Sequence, residues 1–181
     1  MRGYFGIGIE GVSKPMNLGS LLRTAHAFNA SFVFTIGAMF EQREVLLADT
    51  SDAAASLPLH EYKDLDSFEL PRGCRLVGVE LLEEAAELPS FRHPAQAAYV
   101  LGAERASLSP KLVARCDHLV KIPTRFCINV AMAGALVMYD RMISLGRFAE
   151  RPVRTGGPVE KLTAHVHGAP VWKKRQARKR G

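Results

Sequence analysis

The stretch Ile122–Ile143, IPTRFCINVAMAGALVMYDRMI, places a strand exit, a tight loop and a long apolar helix within 22 residues. Leu119, Val120, Lys121 and Ile122 read as a short buried strand. Pro123 ends it, because proline removes a ladder donor. The loop is then Thr124–Cys127, and the segment after it is apolar apart from the amide of Asn129 and the late Asp140 and Arg141. Such a helix is predicted to be buried on most of its surface. Ala131, Ala133, Gly134 and Ala135 allow another backbone to come close, which suits a helix crossing or a ligand lying against the main chain.

Outward from this stretch, strand and helix patterns alternate. Tyr4–Glu10 reads as a strand, residues 17–28 as a helix, with Leu18, Leu21, Leu22, Ala25 and Phe28 at helical spacing, and Ser31–Ile36 as a second strand. A short helix is predicted over residues 41–48, a weak strand over 59–62, another short helix over 64–70, and buried strands over 75–80 and 97–101. Ser109 and Pro110 mark the N-cap and first position of a helix running to Cys116. Strands separated by helices imply an α/β fold, a parallel sheet with helices on both faces.

At 181 residues and 48% hydrophobic, the chain is long enough for one domain with a substantial core. It contains no run of eighteen apolar residues, so no membrane span is expected and a cytoplasmic location is. Cys74, Cys116 and Cys127 are odd in number and widely spaced, which suggests neither a disulfide framework nor a zinc site. The net charge of +6 is unevenly placed. Residues 147–181 hold ten Lys/Arg and two Asp/Glu (10 − 2 = +8), and residues 1–146 hold fourteen and sixteen (14 − 16 = −2). A folded domain over 1–150 is therefore expected to be followed by a basic tail over 151–181. There Trp172 and the run Lys173–Arg180 suit phosphate neutralisation and base stacking. A solvated tail that aids solubility is the plainer reading.

Gly6, Gly8 and Gly11 match a dinucleotide fingerprint literally, but they lie inside or at the end of a strand with no helix opening among them. Three other segments are more informative together: Asn17–Ala25 (NLGSLLRTA), Leu101–Ser109 (LGAERASLS) and Ile122–Val130 (IPTRFCINV). In this order they resemble the motifs of the SpoU/TrmH family of RNA 2'-O-methyltransferases, N-x-G-x-x-x-R, then G-x-E-x-x-G-L-S, then I-P followed by S-x-N. Ser107 replaces the usual glycine of the second motif, and Cys127 the usual serine of the third.

The resemblance implies a SPOUT fold whose C-terminal part is a trefoil knot, S-adenosylmethionine as cofactor, RNA (tRNA or rRNA) as substrate, and a homodimer. It assigns Asn17, Arg23, Glu104 and Asn129 to the reaction centre. It matches Leu101, Gly102, Ile122, Cys127 and Ile128 to the cofactor loops, with Glu80 added to the same pocket. No metal is required. The long helix from Asn129 to Ile143 is the expected dimer interface. Arg23 is expected to position RNA and not to act as a base, because guanidinium stays protonated at neutral pH. The alternative is an RNA-binding or ribosome-associated protein of the same fold that has lost catalysis, suggested by Ser107, Cys127 and the basic tail. Local readings compete with these roles: Asn17 as a helix N-cap, Gly102 as a turn glycine, Glu104 as a surface charge.

Overall fold

A computed structural model describes residues 3–39, 57–103, 107–146 and 148. Its elements are β1 (Tyr4–Glu10), α1 (Pro15–Ala27), β2 (Phe32–Ile36), β3 (Leu59–Tyr62), β4 (Arg75–Val79) and β5 (Ala86–Glu87). A 3-10 turn (Leu88–Ser90), β6 (Gln96–Gly102), α2 (Pro110–Arg115), β7 (His118–Lys121) and α3 (Val130–Leu145) complete them. The chain divides into two units, Met1–Arg147 and Phe148–Gly181. The expected helix over 41–48, Glu104 and the tail lie outside the described residues.

β1 shows how the sequence builds the sheet. Phe5, Ile7 and Ile9 point to one face and enter the larger core. Gly6 and Gly8 point to the other, where a Cβ would meet the ring of Phe32 at 2.2 Å and the carbonyl of Phe34 at 2.3 Å. These two glycines therefore make room for the neighbouring strand's aromatic residues, which sit directly opposite them in register. That accounts for the fingerprint-like spacing without a nucleotide.

The seven strands run in the order β3-β2-β1-β6-β4-β7-β5, with every adjacent pair parallel. One face packs on α1 and α3, through Ile7, Leu18, Leu21, Tyr99 and Val137. The other carries α2, whose Leu112 joins Phe34, Phe68, Leu76 and Val100. Helices thus cover both faces, as the sequence pattern predicts. On α3, Gly134 lets Leu21 of α1 approach so closely that a Cβ would meet it at 2.5 Å.

Three local expectations are corrected. Residues 64–70 form turns and no helix, because Asp64 Oδ1 accepts from Ser67 N at 2.8 Å and Ser67 Oγ donates to Asp64 O at 2.9 Å. Such short side-chain bonds compete with helical ones. Asn17 is not an N-cap: α1 starts two residues earlier, with Lys14 in the cap position and Pro15 preset for the first turn. Finally, α3 is not buried on most of its surface. Val130, Ala133, Gly134, Val137, Met138 and Arg141 are buried, whereas Met132, Leu136 and Tyr139 are 63%, 42% and 48% exposed.

Where β1 and β6 begin, Arg141 is buried among backbone carbonyls. It donates to Pro94 O at 2.6 Å, Ala95 O at 2.8 Å and Tyr4 O at 3.3 Å. It also donates to the Tyr99 hydroxyl at 3.1 Å, and its guanidinium lies 5.2 Å from the centre of the Phe5 ring. His93 bridges Tyr99 (2.6 Å) and Asp140 (2.9 Å) through its two ring nitrogens. This network ties the end of α3 to the sheet.

Candidate active site

At the opposite, C-terminal ends of β4, β6 and β7, the chain encloses a cavity of about 370 Å³, within the range of small-molecule sites. Ligands of parallel sheets occupy this edge, because the loops leaving adjacent strands diverge there. Val79, Glu80 and Leu81 form one wall, Leu101, Gly102, Ala103 and Ser107 a second, and residues 122–133 the third.

The third wall follows from proline geometry. Thr124 N donates to Ile122 O at 2.7 Å around Pro123, the shape of an inverse γ-turn, for which the fixed proline φ is suited. Thr124 Oγ1 then donates to Phe126 O at 2.9 Å, closing a loop that turns Ile122, Thr124, Cys127 and Ile128 toward the cavity. Asn129 ends the loop and starts α3: its Oδ1 accepts from Ala131 N at 2.9 Å and from Met132 N at 3.4 Å. With its oxygen occupied, its Nδ2 donates to Asn17 Oδ1 at 3.1 Å. Residues 112 positions apart are thereby joined between two residues, Ile128 and Val130, that line the cavity.

Two carboxylates hold the second wall. Glu80 accepts from Leu81 N at 2.9 Å through one oxygen and from Leu108 N at 2.8 Å through the other. Glu10, at the end of β1, accepts from Ser109 N at 2.7 Å and Ser109 Oγ at 2.6 Å. Ser109 Oγ in turn accepts from Leu112 N at 3.2 Å as the N-cap of α2. Lys121 secures the first wall by donating to Leu82 O at 3.2 Å and Glu83 O at 2.9 Å.

The expected cofactor residues, Glu80, Leu101, Gly102, Ile122, Cys127 and Ile128, all line this one cavity. Asn17 and Asn129 meet at its margin. Arg23 is exposed on α1 and is not among the lining residues. Ser107 and Cys127, the two departures from the motifs, both face the cavity. Sequence reading missed Val79, Leu81 and Val130 as walls, and Glu10 as an anchor. For Glu10 the signal was an acid at the ligand-bearing end of an otherwise apolar strand. Among the described residues, no group of three or more His, Cys, Asp or Glu is placed to hold a metal ion.

Residues 5–139 match the SpoU rRNA Methylase family. The chain is 29% identical over 138 residues to the tRNA (guanosine(18)-2'-O)-methyltransferase TARBP1 of Mus musculus, covering 71% of this chain and 9% of that protein. It is 26% identical over 146 residues to the 23S rRNA (guanosine-2'-O-)-methyltransferase RlmB of Acinetobacter baylyi, covering 74% and 57%. The fold is shared with an AdoMet-bound rRNA methyltransferase from Sinorhizobium meliloti, at TM-score 0.71 and 21% identity over 81% of this chain and 59% of that one. It is also shared with the AdoMet complex of the SpoU methyltransferase AviRb from Streptomyces viridochromogenes, at TM-score 0.69 and 24% identity over 81% and 60%. The chain thus spans from about a tenth to somewhat over half of the length of these relatives.

Proposed function

Because the chain belongs to the SpoU rRNA Methylase family, we propose that it transfers a methyl group from S-adenosylmethionine to a ribose 2'-hydroxyl of tRNA or rRNA. The observation that carries this reading is the Asn129–Asn17 hydrogen bond at 3.1 Å, which joins the first and third motifs beside a cavity walled by the second and third. The lining suits the cofactor: apolar Leu101, Ile122, Ile128 and Val130 for a flat heterocycle, main-chain groups at Gly102 and Ala103, and one carboxylate at Glu80.

Bound cofactor supplies a methyl already activated on a sulfonium. The residues of this chain have the remaining task of aligning the 2'-oxygen and assisting loss of its proton. The paired amides of Asn17 and Asn129 fix the margin at which the ribose enters. Arg23, six residues along α1 from Asn17, holds an RNA phosphate and stabilises negative charge developing on the 2'-oxygen.

The same reading includes a trefoil knot, a homodimer, a tail over 151–181 that binds RNA, and a cytoplasmic location. The knot rests on the family to which the chain belongs. The dimer is supported by the exposed apolar stripe Met132, Leu136 and Tyr139, at helical spacing on α3. Calorimetric titration with S-adenosylmethionine, followed by methyl transfer to total RNA and mapping of the modified ribose, tests the proposal. Saturable binding with a 2'-O-methyl product is the expected result; absence of cofactor binding, or methyl groups on bases only, overturns it.

A further inference from the structure

We propose that Glu80 gives the cavity charge selectivity, holding the cationic sulfonium cofactor more tightly than the uncharged thioether left after transfer. The inference rests on the methyltransferase reading and adds to it the residue that distinguishes cofactor from product. Among the described lining residues, Glu80 carries the single formally charged side chain; the others are apolar, small, or bear a hydroxyl or thiol. Its carboxylate is held in place at both oxygens by the N–H groups of Leu81 and Leu108, each at under 3 Å. Each oxygen retains capacity for a further interaction.

Among the described residues no cation pairs with Glu80: Arg75 pairs with Asp117, and His93 hydrogen-bonds Asp140. Lys121, on the strand next to β4, directs its ammonium to the carbonyls of Leu82 and Glu83 instead. A half-buried, partly solvated negative charge thus stands at a mostly apolar wall, close enough to the cavity to act on its occupant. During transfer the C–S bond breaks and leaves its electron pair on sulfur, a C–O bond forms at the 2'-oxygen, and the hydroxyl proton passes to solvent. The occupant of the cavity loses one positive charge, and with it the attraction of Glu80. Product is released and fresh cofactor is favoured.

The test is calorimetry on the full chain with three probes that share the nucleoside and amino-acid ends: S-adenosylmethionine, S-adenosylhomocysteine, and sinefungin, whose ammonium stands in place of the sulfonium. Wild-type protein is expected to favour both cations over S-adenosylhomocysteine by about tenfold, the effect of a unit charge several ångströms away in a partly solvated site. Glu80→Gln should remove that preference, and Glu80→Asp should keep it even where all three affinities fall. Glu10→Gln, which loosens Ser109 but does not alter the cavity charge, should weaken the three ligands alike. As a measurement independent of any variant, the wild-type preference should shrink as salt is raised. A preference unchanged in Glu80→Gln, or insensitive to salt, overturns the inference while leaving the methyltransferase reading intact. A wild-type protein that binds none of the three overturns both.

Discussion

Asn129 combines two tasks that substitution can separate. Its oxygen caps α3 and its amide nitrogen reaches Asn17. Asn129→Ala should lower stability by about 1 kcal/mol, the usual cost of a lost N-cap, and should also lose methyl transfer. Serine caps nearly as well but is too short to reach Asn17, so Asn129→Ser should melt like wild type and still be inactive. Thermal melts and turnover on the same preparations check this; an active Asn129→Ser would show that the bond to Asn17 is dispensable. For Arg23→Ala the expected outcome is loss of turnover by at least about 100-fold, with melting temperature and S-adenosylhomocysteine affinity unchanged. Lysine should rescue only in part, since a point charge lacks the planar fork. The asparagine pair was not legible in the sequence as a contact. The motifs named both residues, but an Asn near a helix start reads first as a cap, and only tertiary structure brings the two amides together. Glu10 was missed for the same reason: its partner Ser109 lies 99 residues away.

Among the secondary-structure elements, α3 carries the most consequential exposure. Met132, Leu136 and Tyr139 form an apolar stripe that in a monomer would face water. Leu136→Glu combined with Tyr139→Glu should convert a dimer to monomers, read as a halving of mass by light scattering, with little loss of helix content. A wild-type protein that is already monomeric would remove the dimer from the proposal. Deletion of residues 151–181, whose nine Lys/Arg and one Glu carry the whole +8 of the C-terminal segment (9 − 1 = +8), should leave cofactor affinity intact. It should weaken RNA binding and flatten its dependence on salt, as measured by titration across ionic strengths. Equal affinity with and without those residues would make them a solubility device. The sheet elements were readable because β1, β2, β4 and β6 carry strong apolar runs. The two-residue β5 was not, since Ala86–Glu87 has no pattern of its own and exists through its pairing with β7. Nor was the exposure of α3: its apolar residues almost encircle the helix, so periodicity alone could not divide a core face from an outer one.

Across the whole molecule, cavity and buried network occupy opposite ends of the sheet, so stability and binding can be perturbed separately. Burial holds the His93 pKa below its ordinary value of 6.5, although Asp140 pulls it up and the Arg141 charge again lowers it. Tyr99, its other partner, is pushed up to about 12 by burial and stays a hydroxyl across the working range. The native state therefore resists protonating His93 while the unfolded chain accepts a proton near pH 6.5, so stability is present above that pH and declines as pH falls through it. Melting curves from pH 7.5 to 5 should show this fall, and His93→Gln should flatten it; an unaltered slope would assign the effect to other groups. The sheet order also has a temporal consequence. β1 is the first strand in the sequence yet lies third of seven, and its longest partner, β6, is paired from Tyr4↔Gln96 onward. On a ribosome adding 5–20 residues per second, one edge of β1 waits roughly five to twenty seconds for that partner. During this interval Phe5, Ile7 and Ile9 line an unpaired apolar strand. Nascent chains should accordingly be captured by holdase chaperones until Ala97–Leu101 emerges, and refolding from denaturant should be slow and lose yield steeply with protein concentration.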